Sequence, residues 1–200
     1  MSTLVEKNSL AFAGKHLAGL FVDRVDPGDV LITNDPWLSA GHFFDITTLT
    51  PIFNGAALIG WVGSTIHHTD IGGYGIGAGA RDVHEEGLWI PPLKLYERDV
   101  PNHVLHEIIR SNVRTPDAVF GDLAAQVSAG RVASEHLVTL LARHGLVDLE
   151  DLSDEIQRRS EEATRAAIRK LKPGTYHGES NFDVPGGEVI TLKTAVTIDA

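Results

Sequence analysis

The sequence predicts an α+β protein: a small mixed or antiparallel sheet with a metal-bearing hairpin, a bundle of three helices, and a C-terminal β hairpin. Short β-branched runs bounded by turn residues occur within residues 1–100. From Asn102 the apolar residues recur with a helical period, and strand character returns after Pro173-Gly174. We therefore expect a β-rich half at 1–100, a helical segment at 101–172 and a hairpin at 173–200, all within one domain.

The first elements are a helix and a short strand. Apolar residues between Leu4 and Val25 recur at the spacing of an amphipathic helix. Val30 to Thr33 is β-branched and lies between turn residues, which indicates a buried strand. Asn34 to Gly41 contains Pro36 and several turn formers, so we expect a loop.

A hairpin follows this loop. Ile46 to Phe53 has strand character, and Pro51 favours an edge position because proline cannot donate to a ladder. Asn54-Gly55 is a strong hairpin-turn signal. The nearly continuous apolar run from Ala56 to Ile66 predicts a strand that is buried on both faces.

The glycine-dense segment Gly72 to Gly79 is predicted to be a loop. Its spacing does not match the dinucleotide-binding pattern, and an irregular stretch with Pro91-Pro92 follows it instead of a clear helix. A flexible lid, or backbone that closely approaches another group, fits these glycines better than a nucleotide cradle does.

The helical segment contains three predicted helices. The first, with Val104 and Ile109, ends before Pro116, and the second runs from Ala118 to His144 with Gly145 as its cap. The third covers Leu149 to Leu171. The predicted C-terminal strands, Tyr176 to Val184 and Val189 to Ile198, flank a turn at Pro185-Gly186-Gly187.

Composition restricts the possible functions. Of the 200 residues, 42% are hydrophobic and 22% charged, as in an ordinary globular protein. The lack of cysteine excludes disulfides, thiolate metal sites and thiol nucleophiles, and the net charge of -10 disfavours nucleic-acid binding. Residues 1–20 lack the apolar core of a secretion signal, and no segment approaches the ~18 apolar residues of a membrane span. We expect a cytoplasmic protein.

Three side chains are candidate ligands of one divalent metal. His42 and Asp45 lie three residues apart, and antiparallel pairing through the Asn54-Gly55 turn brings His67 back beside them. Imidazole and carboxylate suit Zn²⁺, Mn²⁺, Co²⁺ or Fe²⁺. The competing interpretation is that these are surface or hydrogen-bonded residues, as histidines at strand ends usually are.

Further candidates lie beside these three. His68 should point to the opposite face of the strand from His67, on the substrate side or behind a ligand. Asp70 could orient a ligand imidazole, and we name His68 and Asp70 as the catalytic candidates. Asp35 is either a turn opener or a carboxylate on the rim of the site, and the turn is favoured.

Several motifs together resemble the hydantoinase B/oxoprolinase family. They are Gly28 to Pro36-Trp37, Gly41-His42 to Asp45, His67 to Gly73, Glu85 to Pro92, and Asn112 to Leu123. The resemblance implies that His42, Asp45 and His67 bind the metal, and that a longer N-terminal segment supplies a further acidic ligand. It also implies that ATP is used on a separate hydantoinase A-type subunit, consistent with the lack of a Walker loop in this sequence.

The predicted function is that of a metal-binding subunit of an ATP-dependent cyclic-amide hydrolase. It would form a hetero-oligomer with the hydantoinase A-type subunit, and unpaired strand edges also favour self-association. One alternative is a subunit of an ATP-dependent ketone carboxylase of the acetone or acetophenone type. The other is a non-catalytic scaffold, or degenerate paralogue, that docks a partner.

Overall fold

The computed structural model describes residues 2–77, 79–184 and 186–199, with side chains from Leu10 onward. Ala78 of the predicted glycine-rich loop and Pro185 of the predicted hairpin turn lie outside the described residues, as do Met1 and Ala200. The chain divides into two compact units, one ending at Asp148 and the other beginning at Leu149.

The first unit is an antiparallel sheet with three helices. Its strands are ordered β3-β2-β1-β4-β5, and each pairs antiparallel with its neighbour. The elements in chain order are α1 Ser2–Phe21 followed by a 3₁₀ turn Val22–Arg24, β1 Val30–Thr33, β2 Asp45–Asn54, β3 Ala57–His67, β4 Leu93–Glu97, β5 Val100–Pro101, α2 His103–Asn112 and α3 Pro116–His144.

Helices cover both faces of this sheet. Successive strand residues point to opposite sides, and apolar residues occur on both of them. On one face Leu31 and Leu49 pack against Leu17 and Phe21 of α1. On the other face Val30, Ile32 and Ile46 belong to a larger core that also contains residues of α2 and α3. The α3 residues of this core, Val119, Leu123 and Val127, are four apart and form the buried stripe of the helix.

The predicted hairpin is present, with two differences in its environment. Pro51 does not mark an edge strand, because β2 lies between β3 and β1. β1 pairs with β2 only at Thr47 to Leu49. Pro51 lies outside this paired segment, so its missing N–H group removes no hydrogen bond to β1. The prediction that β3 is buried on both faces is also wrong, since β3 is the edge strand and its residues are half-buried or exposed.

The strands β4 and β5 were not predicted. The sequence around Pro91-Pro92 was interpreted as irregular, yet Leu93–Glu97 pairs with β1 and buries Leu95. Leu95 is its one buried residue, so the strand shows no clear alternation of buried and exposed positions, and the adjacent prolines favour an irregular interpretation.

Recognisable signals begin and end the helices that follow. The side chain of Asn102 accepts a hydrogen bond from Leu105 N at 3.1 Å at the start of α2. Pro116 occupies the first turn of α3, and Gly145 ends it in the left-handed conformation, as predicted. No helix among the described residues is long and apolar enough to cross a membrane.

The second unit contains α4 Glu150–Ile168, β6 Gly174–Asp183 and β7 Val189–Ile198. The third predicted helix and the C-terminal hairpin are therefore confirmed, and α4 is in a different unit from α2 and α3. Glu161 and Arg165, four residues apart on α4, form an ion pair at 2.7 Å. None of the described residues of this unit is buried.

Candidate metal centre

The open end of the β2–β3 hairpin brings His42, Asp45 and His67 together. Asp45 begins β2 and pairs directly with His67, the last residue of β3. His42 lies in the preceding loop, which turns back on itself where Asp45 N donates to His42 O at 3.3 Å. The convergence deduced from the Asn54-Gly55 turn is thus found in the structure.

The distances within this cluster suit a single cation. His42 Nε2 lies 3.2 Å from Asp45 Oδ2, and His67 Nδ1 lies 2.9 Å from Asp45 Oδ1. One ligand atom from each residue lies within 4.8 Å of the other two. Among the described residues this is the one group of three or more possible ligands that comes this close together. Donors that bind one ion at about 2.0–2.2 Å are about 3–3.5 Å apart. The two histidine–aspartate distances are close to this range, and the separation of up to 4.8 Å within the group would have to shorten for all three side chains to hold one ion.

The cluster is open to solvent on one side. The His42 and His67 side chains are 47% and 53% exposed, whereas that of Asp45 is 17% exposed. The ring of Phe44 stacks on His67 at 5.2 Å, and the rings of His42 and His67 lie edge to face at 5.1 Å. Three protein donors with an exposed side leave further coordination positions free for water or substrate.

Asn34 anchors the loop that holds His42. Its buried side chain donates to Phe43 O at 2.9 Å and to Leu88 O at 2.8 Å, and accepts from Ile90 N at 2.7 Å. The sequence indicated only a turn at this position, because the partners of Asn34 are distant along the chain. Asp35 is the turn opener, since its side chain accepts from Trp37 N at 2.9 Å.

His68 lies behind the cluster. Its side chain is fully buried and points toward α3, on the face of the hairpin opposite to His67, as predicted. Its Nε2 lies 3.2 Å from Gln126 Oε1, whereas its Nδ1 is buried with no partner among the described residues. Burial lowers the pKa of His68, outweighing the Gln126 hydrogen bond and the Asp122 carboxylate, which raise it. Burial therefore favours the neutral form of this imidazole.

Asp70 accepts hydrogen bonds from backbone N–H groups beside the site. Its carboxylate accepts from Gly72 N at 2.9 Å, Thr115 N at 3.2 Å, Arg114 N, and Arg114 Nη1 at 3.0 Å. Burial raises the pKa of Asp70, but these hydrogen bonds outweigh it and hold the pKa below its ordinary value. The described hydrogen bonds of Asp70 thus join the loop after β3 to the junction of α2 and α3, and none goes to an imidazole as the sequence had suggested.

Glycines allow close packing where the loop after His67 begins. Gly72 and Gly73 both have positive φ, and a Cβ on either would collide with backbone, at Asn112 for Gly72 and at Gly87 for Gly73. The close backbone approach predicted for this segment is therefore to the chain itself at these two positions.

The sequence interpretation missed Gln126. It is a buried amide on α3, and its Nε2 donates to Ile46 O at 3.0 Å and to Ser64 O at 3.2 Å. The available signal was a polar residue within the apolar stripe, three residues after Leu123 and next to Val127.

Together, the fold and this cluster define an α+β protein with a candidate divalent-metal centre at one end of its sheet. The family model for hydantoinase B/oxoprolinase matches residues 2–200. The chain belongs to the hydantoinase B/oxoprolinase family, which confirms the resemblance carried by the sequence motifs.

Two curated relatives show the extent of the match. The chain is 34% identical over 187 residues to the B subunit of a putative D-/L-hydantoinase from Pseudomonas sp. (strain NS671), covering 88% of this chain and 32% of that protein. It is 32% identical to the beta subunit of caprolactamase from Pseudomonas jessenii, covering 98% of this chain and 34% of that one. The chain thus spans about a third of the length of these relatives.

Two solved structures resemble the fold. The ATP-dependent caprolactamase from Pseudomonas jessenii matches 98% of this chain and 35% of its own, with a TM-score of 0.84 and 32% identity. A nucleotide-free acetone carboxylase matches 92% of this chain and 27% of its own, with a TM-score of 0.73 and 22% identity. The second likeness is one of fold alone.

Proposed function

We propose that this chain forms the metal-binding part of an ATP-dependent enzyme acting on cyclic amides. The observation that supports the proposal most directly is the convergence of donor atoms from His42, Asp45 and His67 within 4.8 Å. In this proposal the ion is divalent, and ATP is bound by a hydantoinase A-type partner subunit.

The chemistry of the three side chains supports a catalytic rather than a purely structural ion. Structural zinc sites are closed by four protein ligands, whereas catalytic sites keep a position open. Here two of the three side chains are about half exposed. A bound divalent ion would supply Lewis acidity toward a carbonyl-type oxygen. Asp45 spans the two imidazoles with both carboxylate oxygens, which fixes the separation of the donors.

The relatives support a hydrolase of cyclic amides over the carboxylase alternative. The two relatives above 30% identity described above are named as a hydantoinase subunit and a caprolactamase subunit. The acetone carboxylase shares only the fold at 22% identity. Both of those relatives are named as one of the subunits of an enzyme, which supports a partner subunit for this chain.

Metal analysis of the purified 200-residue chain tests the site. We expect about one equivalent of Zn²⁺, Mn²⁺, Co²⁺ or Fe²⁺ after loading, as three converging donors imply. His42→Ala and His67→Ala should each remove most of it. His177→Ala is the matched control, because it removes an exposed histidine of β6 that lies outside the cluster. Equal metal in all four proteins would exclude this site.

A coupled assay tests the reaction class. The chain is combined with a hydantoinase A-type subunit, and ATP consumption is measured with hydantoins, oxoproline or caprolactam, and separately with ketones plus bicarbonate. We expect turnover of a cyclic amide that requires both chains and is lost in His67→Ala. Turnover of ketones alone would identify the carboxylase, and a stable complex with no turnover would identify the scaffold.

A further inference from the structure

One buried amide joins both strands of the hairpin directly behind the candidate metal centre. Gln126 of α3 is 3% exposed. Its Nε2 donates to Ile46 O of β2 at 3.0 Å and to Ser64 O of β3 at 3.2 Å. Its Oε1 lies 3.2 Å from His68 Nε2, just beyond the end of β3. A single side chain therefore bonds to three points on the two strand ends.

These three partners determine how the amide is oriented. The two carbonyl oxygens only accept, so the amide nitrogen of Gln126 must face them and its oxygen must face His68. His68 then donates through Nε2, and its Nδ1 is an acceptor. No other orientation of the amide satisfies all three groups at once, and buried polar groups left unpaired are costly.

Two of the three residues bonded to Gln126 are adjacent in sequence to candidate ligands. Ile46 follows Asp45, and His68 follows His67. Asp45 and His67 face the side of the sheet away from α3, whereas Ile46 and His68 face α3. The amide thus lies behind the cluster on the opposite face of the same hairpin end, and it contacts none of the donor atoms.

Apart from Gln126, the two strands at this end of the hairpin are joined by the ladder and by a contact between the Thr47 and Thr65 hydroxyls at 2.7 Å. β3 is the edge strand, so β2 is its single neighbour in the sheet. Asp45 and His67 form the last pair of the ladder, and beyond it His68 N donates to Phe44 O at 2.8 Å. A shift of one residue between the strands would send His67 to the other face and separate it from Asp45.

We propose that Gln126 is a positioning residue that holds the ends of β2 and β3 in register, and thereby sets the spacing of the Asp45 and His67 donors. The expected effect of Gln126 on metal binding rests on the proposed function. The expected effect of Gln126 on the pairing of β2 and β3 does not depend on any metal. The two consequences are measured separately.

The metal measurement compares Gln126→Met with a matched core variant in the full chain. Methionine keeps the length of the side chain but makes none of the three hydrogen bonds. We expect affinity for Co²⁺ to fall by about ten-fold or more, the range typical of groups that position ligands. Leu141→Ala is the control, because Leu141 is buried in the same helix about 22 Å further along. It should leave the Co²⁺ affinity within about two-fold even where it lowers Tm more.

The second measurement uses the metal-free proteins and hydrogen exchange. In Gln126→Met the amides of residues 65–68 should lose protection relative to those of residues 57–60, at the turn end of the same strand. Gln126→Glu should behave in the same way, because it keeps the acceptor toward His68 but lacks the amide donor. It replaces Gln126→Met should that variant not fold.

These results separate the two proposals. A wild-type chain that binds no metal refutes the proposed site, and the exchange pattern alone then decides the role of Gln126. Selective loss of protection at residues 65–68 supports the positioning role. Unchanged protection, a uniform loss along β3, or wild-type Co²⁺ affinity in Gln126→Met overturns it.

Discussion

At the scale of single residues, buried polar side chains fix the backbone around the candidate metal centre. Asn34, Asp70 and Gln126 each bond to several groups, with partners up to 56, 45 and 80 residues away along the chain. The sequence indicated a turn at Asn34 and suggested that Asp70 orients an imidazole, but it did not indicate these partners, which depend on how distant segments pack. The three candidate ligands were predictable because a single short turn relates Asp45 to His67.

We predict that Asp70→Asn destabilises the first unit by about 3 kcal/mol. The carboxylate accepts from three backbone N–H groups and from Arg114 with both oxygens, and asparagine would turn an N–H₂ group toward some of these donors. Urea unfolding measures the change. Asp117→Asn is the control. Asp117 is fully exposed, lies 3.9 Å from its arginine partner and loses only its favourable position in the first turn of α3, so the free energy of unfolding should change much less than in Asp70→Asn. Equal stabilities of the two variants would contradict the role of Asp70.

The same pair of proteins gives a prediction for pH. The folded-state pKa of Asp70 is lowered, so near pH 4 the unfolded chain binds more protons than the folded one does. The stabilisation is fully present above the unfolded pKa of about 3.9 and is lost as the pH falls through the folded pKa. The stability difference between wild type and Asp70→Asn should be constant from about pH 7 to 5 and shrink below about pH 4. A difference that persists unchanged under acid would show that the charge of Asp70 is not involved.

At the scale of secondary-structure elements, the sequence predicted what local patterns determine. The hairpin turn, the helix caps and the apolar stripe of α3 each rest on a few neighbouring residues. The burial of β3 and the position of Pro51 were predicted wrongly because both depend on the order of the strands in the sheet, which local sequence does not determine. β4 was missed because its pairing partner, β1, lies far earlier in the chain.

The packing of α3 on β2 predicts opposite effects for two glycine substitutions in one helix. A Cβ on Gly130 would lie 3.1 Å from Thr50 Cβ and closer still to Thr50 Oγ1, whereas a Cβ on the exposed Gly121 meets nothing within 4 Å. Gly121→Ala should therefore stabilise the protein by up to about 1 kcal/mol through helix propensity. Gly130→Ala should destabilise it by about 1–3 kcal/mol through overpacking.

Urea unfolding followed by tryptophan fluorescence distinguishes these outcomes. Adding Thr50→Ala to Gly130→Ala should recover part of the loss, because it removes the colliding hydroxyl. Stabilisation by Gly130→Ala would mean that α3 does not approach β2 this closely.

At the scale of the whole molecule, the two units differ in how they are stabilised. The first has a continuous core between the sheet and its helices, whereas no described residue of the second is buried. The register of β6 and β7 places Tyr176, Phe182, Ile190, Leu192 and Val196 on one face of the hairpin, and all are about half exposed. The sequence predicted this hairpin from its strand character and its Pro-Gly-Gly turn, but neither signal determines whether the apolar face is covered.

We therefore predict that the second unit of this chain opens far more readily than the first. A two-stranded hairpin without a buried face is marginally stable in water, and local opening follows the density of buried contacts. In hydrogen exchange the amides of β6 and β7 should exchange orders of magnitude faster than those of β1 and β2. Trp37, Trp61 and Trp89 all belong to the first unit, so tryptophan fluorescence follows that unit alone. On heating, far-UV circular dichroism should show an early loss of the secondary structure of the second unit, with no change in tryptophan fluorescence. A later transition, the unfolding of the first unit, should be detected by both methods. Coincident transitions, or equal protection of β2 and β7, would show that this chain covers the apolar face of the hairpin itself.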